Sequence, residues 1–168
     1  MGRYDDIFVQ GHATFKQPEN KKKKAEMAMQ NFDPAAVCED AKRIAASFEY
    51  PFDGTEKDID TLELILRGLH QDFMNQNMAE PKLTNASLVF GVYLGQMILD
   101  LYLEKAGYSW DLSEGMPKVK KAKESTISPI SKVRKHIMNG DEDDIRPFCE
   151  IVKLISEGKI KPELKNKD

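Results

Sequence analysis

The feature that most constrains this chain is residues 84–110, TNASLVFGVYLGQMILDLYLEKAGYSW. Leu88, Val92, Gly95, Leu99 and Tyr102 recur at helical spacing, and so do Phe90, Leu94, Ile98 and Leu101. A helix that is apolar nearly all round belongs in the middle of a core. Tyr93, Gln96, Asp100 and Glu104 form its one narrow polar stripe, a wet seam or the rim of a pocket made by Tyr93, Gln96 and Asp100. Thr84 or Asn85 can cap the start, and Gly107 can adopt the left-handed conformation that ends a helix, with Tyr108 folding back as an apolar contact. The pattern predicts a central helix over about residues 85–106.

Gly91 and Gly95 lie on one face of that helix. Each costs about 1 kcal/mol against alanine in a helix interior, so the pair predicts a close neighbouring backbone. The uncharged run, residues 86–99, holds 14 residues. A membrane span needs about 20, which makes this a buried helix of a soluble protein.

Helices are expected on both sides. Asp33-Pro34 is a cap followed by a proline at the first helical position. Val37, Ala41, Ile44 and Phe48 form the buried face, Cys38 is a buried thiol beside it, and Tyr50-Pro51 stops the helix. A second helix follows Phe52-Asp53-Gly54, with Thr55 and Asp58 as a capping box and Ile59, Leu62, Leu66, Leu69 and Phe73 as one stripe. Residues 75–83 form a connector punctuated by Pro81. After Gly107, short segments at residues 108–111, 117–122 and 125–127 predict a small β-hairpin insertion over about 108–127. Ser128-Pro129 opens another helix, with Ile130, Val133 and Ile137 inward and Asn139-Gly140 as its stop. A last helix, regular from Asp144 or Ile145, carries Ile145, Phe148, Val152 and Ile155 and closes at Gly158.

The fold class expected is therefore mainly helical α+β, with about five helices around the central one. The 168 residues fit one globular domain over residues 33–158, preceded by a peripheral arm, 1–32, and followed by a frayed tail, 159–168. Within the arm, Ile7-Phe8-Val9 reads as a short strand and lysines 21–24 as a solvated charge run. Residues 1–15 carry two aspartates where a secretion signal would be apolar, and the two cysteines make neither a disulfide framework nor a metal cluster. A cytoplasmic location is expected.

Three stretches taken together carry a resemblance. They are residues 52–69; Phe90-Gly91-Val92-Tyr93-Leu94-Gly95-Gln96 with Gly107 and Trp110; and Ser128-Pro129 through Val133 to Asn139-Gly140, followed by Asp143-Asp144 and Phe148. Over about residues 50–155 the chain resembles a loose group of small uncharacterised bacterial proteins with an "fGaYlGE…W…P..kV.k.l.nG" pattern, departing from it at Gln96, where a glutamate is usual. The resemblance implies a mainly helical domain with a small sheet insertion and implies no reaction. Some such proteins look similar to immunity proteins that neutralise bacterial toxins.

Chemistry is sparse. His12, His70 and His136 are isolated from any second ligand at metal spacing, and no H-E-x-x-H, C-x-x-C, G-x-S-x-G or P-loop occurs. His70 reads as structural or superficial, and His136 as a cation suited to a helix end. Two acidic clusters stand out: Asp53, Glu56, Asp58, Asp60 and Glu63, then Asp141, Glu142, Asp143 and Asp144. Helix-dipole complementarity alone explains acids at helix starts. If both clusters face one side, they form a negative surface for a basic partner.

The favoured reading is a non-catalytic domain, without cofactor or membrane association, that binds a basic protein partner in the manner of an immunity protein. The alternative is a magnesium-dependent hydrolase of a phosphorylated small molecule, with Asp60, Glu63, Asp100 and Glu104 as metal ligands. A nucleic-acid-binding module ranks third. It rests on the lysines of residues 116–136, a stretch without the stacking aromatics that single strands require.

Overall fold

The computed structural model of the chain describes residues 31–122 and 125–161. The expectations for the arm (the strand at residues 7–9, lysines 21–24 and His12) and for residues 162–168 of the tail lie outside the described residues, as do Lys123 and Glu124.

Helix α1 (Pro34–Ser47) starts at its predicted cap: Asp33 Oδ1 accepts from the amides of Ala35 and Ala36 at 3.0 and 3.3 Å. Ala41, Ile44, Ala45 and Phe48 are buried beneath it, with Val37 partly buried. In α2 (Asp58–Met74) the stripe of Ile59, Leu62, Leu66 and Leu69 is buried together with Ile65.

The entry to α2 differs from the expected capping box. Asp58 does reach back, but to the amides of Asp53 and Gly54, at 3.0 and 2.8 Å. The Thr55 hydroxyl accepts from the Lys57 amide instead, at 3.3 Å. An aspartate is one methylene shorter than the glutamate such a box normally uses. Here it closes the preceding turn rather than pairing with Thr55.

The central helix α3 (Glu80–Ile98) begins about one turn earlier than Thr84 or Asn85. Pro81 lies in its first turn, where a missing N–H costs nothing, so the proline opens the helix instead of punctuating a connector. The regular helix stops at Ile98. A wider π turn (Leu99–Leu103) and a 3-10 turn (Glu104–Ala106) carry the chain to Gly107, which is left-handed at φ 91°. Leu99 and Leu103 point into the core, while Asp100 and Glu104 are exposed. The segment Glu80–Ala106 is long and apolar enough to cross a membrane, but 78% of its apolar window is buried inside the protein.

Strands β1 (Ser109–Asp111), β2 (Lys118–Lys121) and β3 (Ser125–Ile127) make one antiparallel sheet in sequential order. Trp110 pairs with Val119, and Val119 with Ile127, so the apolar residues of the sheet share one face. Helix α4 (Pro129–Asn139), a 3-10 turn (Gly140–Asp143) and α5 (Ile145–Ser156) complete the described fold. It is a mainly helical α+β arrangement of five α-helices among the described residues, as the periodicity predicts.

Helix α3 lies between α1 and α4, and α2 packs on α4 and α5. The glycines of α3 explain how closely these layers approach. A Cβ at Gly91 would sit 2.4 Å from Ile130 Cα, so the α4 backbone occupies that space. A Cβ at Gly95 would meet the Trp110 indole, at 2.3 Å, rather than a backbone. Gly91→Ala is expected to lower stability by about 1–3 kcal/mol, because Ile130 Cα cannot move without shifting α4. A urea melt unchanged by that substitution would contradict the close approach.

Candidate functional site

Helix α2 packs beside α5. Glu63 lies within the apolar stripe of α2 and is only 2% exposed. One oxygen, Oε1, accepts from His136 Nε2 at 2.8 Å and from Arg67 Nε at 3.1 Å. The other, Oε2, accepts from the Ile145 amide at 3.2 Å. A single carboxylate therefore joins α2, α4 and the start of α5. His136 is 0% exposed, and its Nδ1 has no hydrogen-bond partner among the described residues.

Burial pushes the Glu63 carboxyl up, but the His136 hydrogen bond and charge and the Ile145 amide outweigh burial and hold it below its usual range. Burial likewise pushes the His136 imidazole down, and the hydrogen bond it donates to Glu63 outweighs that, leaving it raised. A glutamate–imidazole pair is the hardware of general-base chemistry. This one is sealed from any substrate, so it works as a clip.

Arg67, half-exposed, also reaches Asp141 at 3.3 Å. Asp144 caps α5 through the Arg146 amide at 2.8 Å, and its side chain is gripped by the Arg146 guanidinium, which draws its carboxyl down to about 2. Arg146 in turn feels the charges of Glu63 and Asp60. Asp60, Asp141, Glu142 and Asp144 therefore border one side of α2, interleaved with Arg67 and Arg146. Leu64 stands among them, 50% exposed, one helical turn from both Asp60 and Arg67.

The remaining acids lie elsewhere or do other work. Asp58 is 1% exposed and binds the Tyr93 hydroxyl at 2.6 Å besides the turn amides. Glu63 and Asp58 thus correct the expectation of an exposed partner surface: both are interior groups, because each has several donors to satisfy it. Asp53 accepts from the Thr55 amide and hydroxyl, at 2.9 and 2.6 Å. Glu56 accepts from the Tyr102 hydroxyl and, at 3.3 Å, from Lys153. Asp143 is tied to Asn139 at 2.7 Å and to Lys132 at 3.0 Å.

The proposed rim of Tyr93, Gln96 and Asp100 is not a rim. Tyr93 is buried and stacked on Phe52, with ring centroids 4.2 Å apart. Gln96 is half-buried, accepting from Trp110 Nε1 at 3.0 Å and donating to Asp100 at 2.7 Å. A glutamate there would have no proton for Asp100.

The four carboxylates of the hydrolase alternative do not converge. Glu63 is occupied by three donors inside the protein, Asp100 is paired with Gln96, and Asp60 and Glu104 are exposed. Among the described residues, no three histidine, cysteine or acidic side chains gather around a point that could hold a metal ion. Burial pushes both thiols, Cys38 and Cys149, up to about 12, so neither is a thiolate at neutral pH. The basic stretch is largely neutralised: Lys118 pairs with Glu114, Lys120 with Asp111, Lys132 with Asp143 and Arg134 with Glu80.

A cavity of about 490 Å³ opens between the C-terminal half of α2 and the turn after α4. Arg67, His70, Gln71, Asn139, Asp141 and Glu142 line it. His70 Nδ1 donates to the Ile137 carbonyl at 2.8 Å, capping the last turn of α4. Gly140 has φ 71°, and a Cβ there would lie 2.7 Å from His70 Nε2.

No protein-family model, curated protein or solved structure matches the chain.

The lowered Glu63 contributes stability above about pH 4.5, its ordinary value, and loses that contribution as pH falls through its lowered pKa. The raised His136 contributes below its ordinary 6.5 and loses the contribution as pH rises through its raised pKa. The pair should therefore stabilise most between these two values. Glu63→Gln is expected to cost about 3–5 kcal/mol there, less on either side. Urea melts across pH giving a constant wild-type-to-variant difference would contradict an ion pair.

Proposed function

We propose that the chain is a non-catalytic protein-binding domain that uses the acidic side of α2 to receive a basic partner, in the manner of a bacterial immunity protein acting in the cytoplasm. The observation that carries this reading is Leu64, an exposed leucine on a rigid helix, bordered by Asp60, Arg67 and the acids of the turn after α4. An apolar anchor surrounded by charge fits interface anatomy, in which the centre excludes water and the charges steer and orient the partner. The buried Glu63 clip supports the same reading, because it fixes the turn that carries Asp141 and Glu142 relative to α2. The resemblance to the small bacterial proteins supplies the immunity assignment.

Asp60 and Glu142 make no hydrogen bond or ion pair among the described residues, so their reversal tests the surface without disturbing the clip. Full-length chain carrying Asp60→Lys and Glu142→Lys should keep its circular dichroism and melting point. It should associate with the partner captured by the wild-type chain at least tenfold more slowly, and the wild-type rate should fall steeply with salt, since steered association is screened. A captured partner whose association ignores both the reversal and the salt would contradict this surface.

A further inference from the structure

We infer that the outer face of α2 pairs with the same face of a second copy of this chain, antiparallel about a two-fold axis beside Leu64, and that this dimer covers the surface a partner would use. The pairing stands on α2 alone; only its masking role rests on the protein-binding reading.

The inner side of α2 is committed to the core, which leaves a narrow outward face. Lys57 at the entry to the helix, then Asp60, Leu64, Arg67 and Gln71, recur at intervals of three and four, and all are exposed. Leu64 lies at the middle, 50% exposed. Asp60 has no hydrogen bond or ion pair among the described residues. Arg67 gives only its Nε to Glu63 and Asp141, at 3.1 and 3.3 Å, so its Nη hydrogens are uncommitted among the described residues. An acid without a cation and a guanidinium with spare donors therefore stand on one helix and do not meet. Seven residues separate them, about 10 Å along the axis. Both lean towards the same flank, where Arg67 reaches Asp141 and Arg146 feels Asp60.

The midpoint between Asp60 and Arg67 falls beside Leu64. An antiparallel second copy, related by a two-fold axis through that point, sets each Asp60 opposite the other copy's Arg67 and both leucines next to the axis. Such an interface is self-complementary, because every contact is made twice. Two charge-assisted pairs then border an apolar centre that excludes water. Lys57 comes opposite Gln71 of the second copy, whose amide oxygen accepts from an ammonium. A second copy thus answers both signs of this face at once.

Sedimentation equilibrium of the full-length chain alone, taken up to its solubility limit, should show a monomer–dimer equilibrium that weakens as salt rises. Asp60→Lys turns both pairs into repulsions and should lower the association constant roughly tenfold or more, the effect of losing two exposed pairs. Leu64→Glu sets two carboxylates beside the axis and should leave a monomer. Both positions are exposed, so circular dichroism and melting should be unchanged. Leu64→Cys gives a positive reading, because the axis brings the two new thiols together while the native Cys38 and Cys149 are buried. On mild oxidation it should form a disulfide dimer about tenfold faster than Met74→Cys, a more exposed position away from the axis. A chain monomeric at every concentration, a dimer indifferent to Asp60→Lys and Leu64→Glu, or equal crosslinking rates would each overturn the pairing. A partner captured by a chain that never dimerises removes the pairing and leaves the protein-binding reading. A dimer that meets these expectations but captures no partner removes the protein-binding reading alone. If the disulfide-locked Leu64→Cys dimer binds a captured partner as tightly as its reduced form, the masking role falls.

Discussion

Glu63 is the constraint on which this arrangement depends. A carboxylate at 2% exposure is costly unless every lone pair it turns inward meets a donor. Here the donors come from three places: His136 on α4, Arg67 one turn along α2, and the first amide of α5. Satisfying the charge therefore requires α2, α4 and α5 to meet at one point. That meeting sets the turn between α4 and α5, and with it Asp141 and Glu142, against the outer side of α2. The apolar core supplies the bulk of the favourable free energy, but it is non-directional. The buried ion pair supplies the direction.

Much of the fold was legible because its signals are local. The cap at Asp33-Pro34, the stripe from Ile59 to Leu69, the stop at Gly107 and the start at Asp144 all follow from rules spanning a few residues. The start of α3 is less legible, because Pro81 has the look of punctuation and its place in the first turn is set by the helix that follows. The glycine pair signals a close neighbour, and at Gly91 that neighbour is the α4 backbone, while Gly95 accommodates an indole. That distinction depends on where β1 lies, which no local rule gives.

The site was less legible, for a related reason. Glu63 sits directly after Leu62 and three residues before Leu66, and His136 three residues after Val133 and next to Ile137. Each ionisable group falls on an apolar stripe, and that was the available signal. Taken separately, Glu63 is one acid in a helix-start cluster and His136 a cation suited to a helix end. Only their pairing across 73 residues shows that both are interior. Asp58 and Tyr93 repeat the pattern across 35 residues. The acids that do face solvent beside α2 are the subset that long-range pairing leaves outside.

Hydrogen exchange at the Ile145 amide tests this account most directly. First-turn amides of a helix ordinarily lack an intrahelical acceptor and exchange early through local fraying. If the Glu63 carboxylate receives this proton in the interior, Ile145 should exchange as slowly as the core amides of α3, through global unfolding alone. Exchange at the rate of a solvated loop amide would show that Glu63 does not join α5 to the core, and the arrangement of the acidic side would lose its anchor.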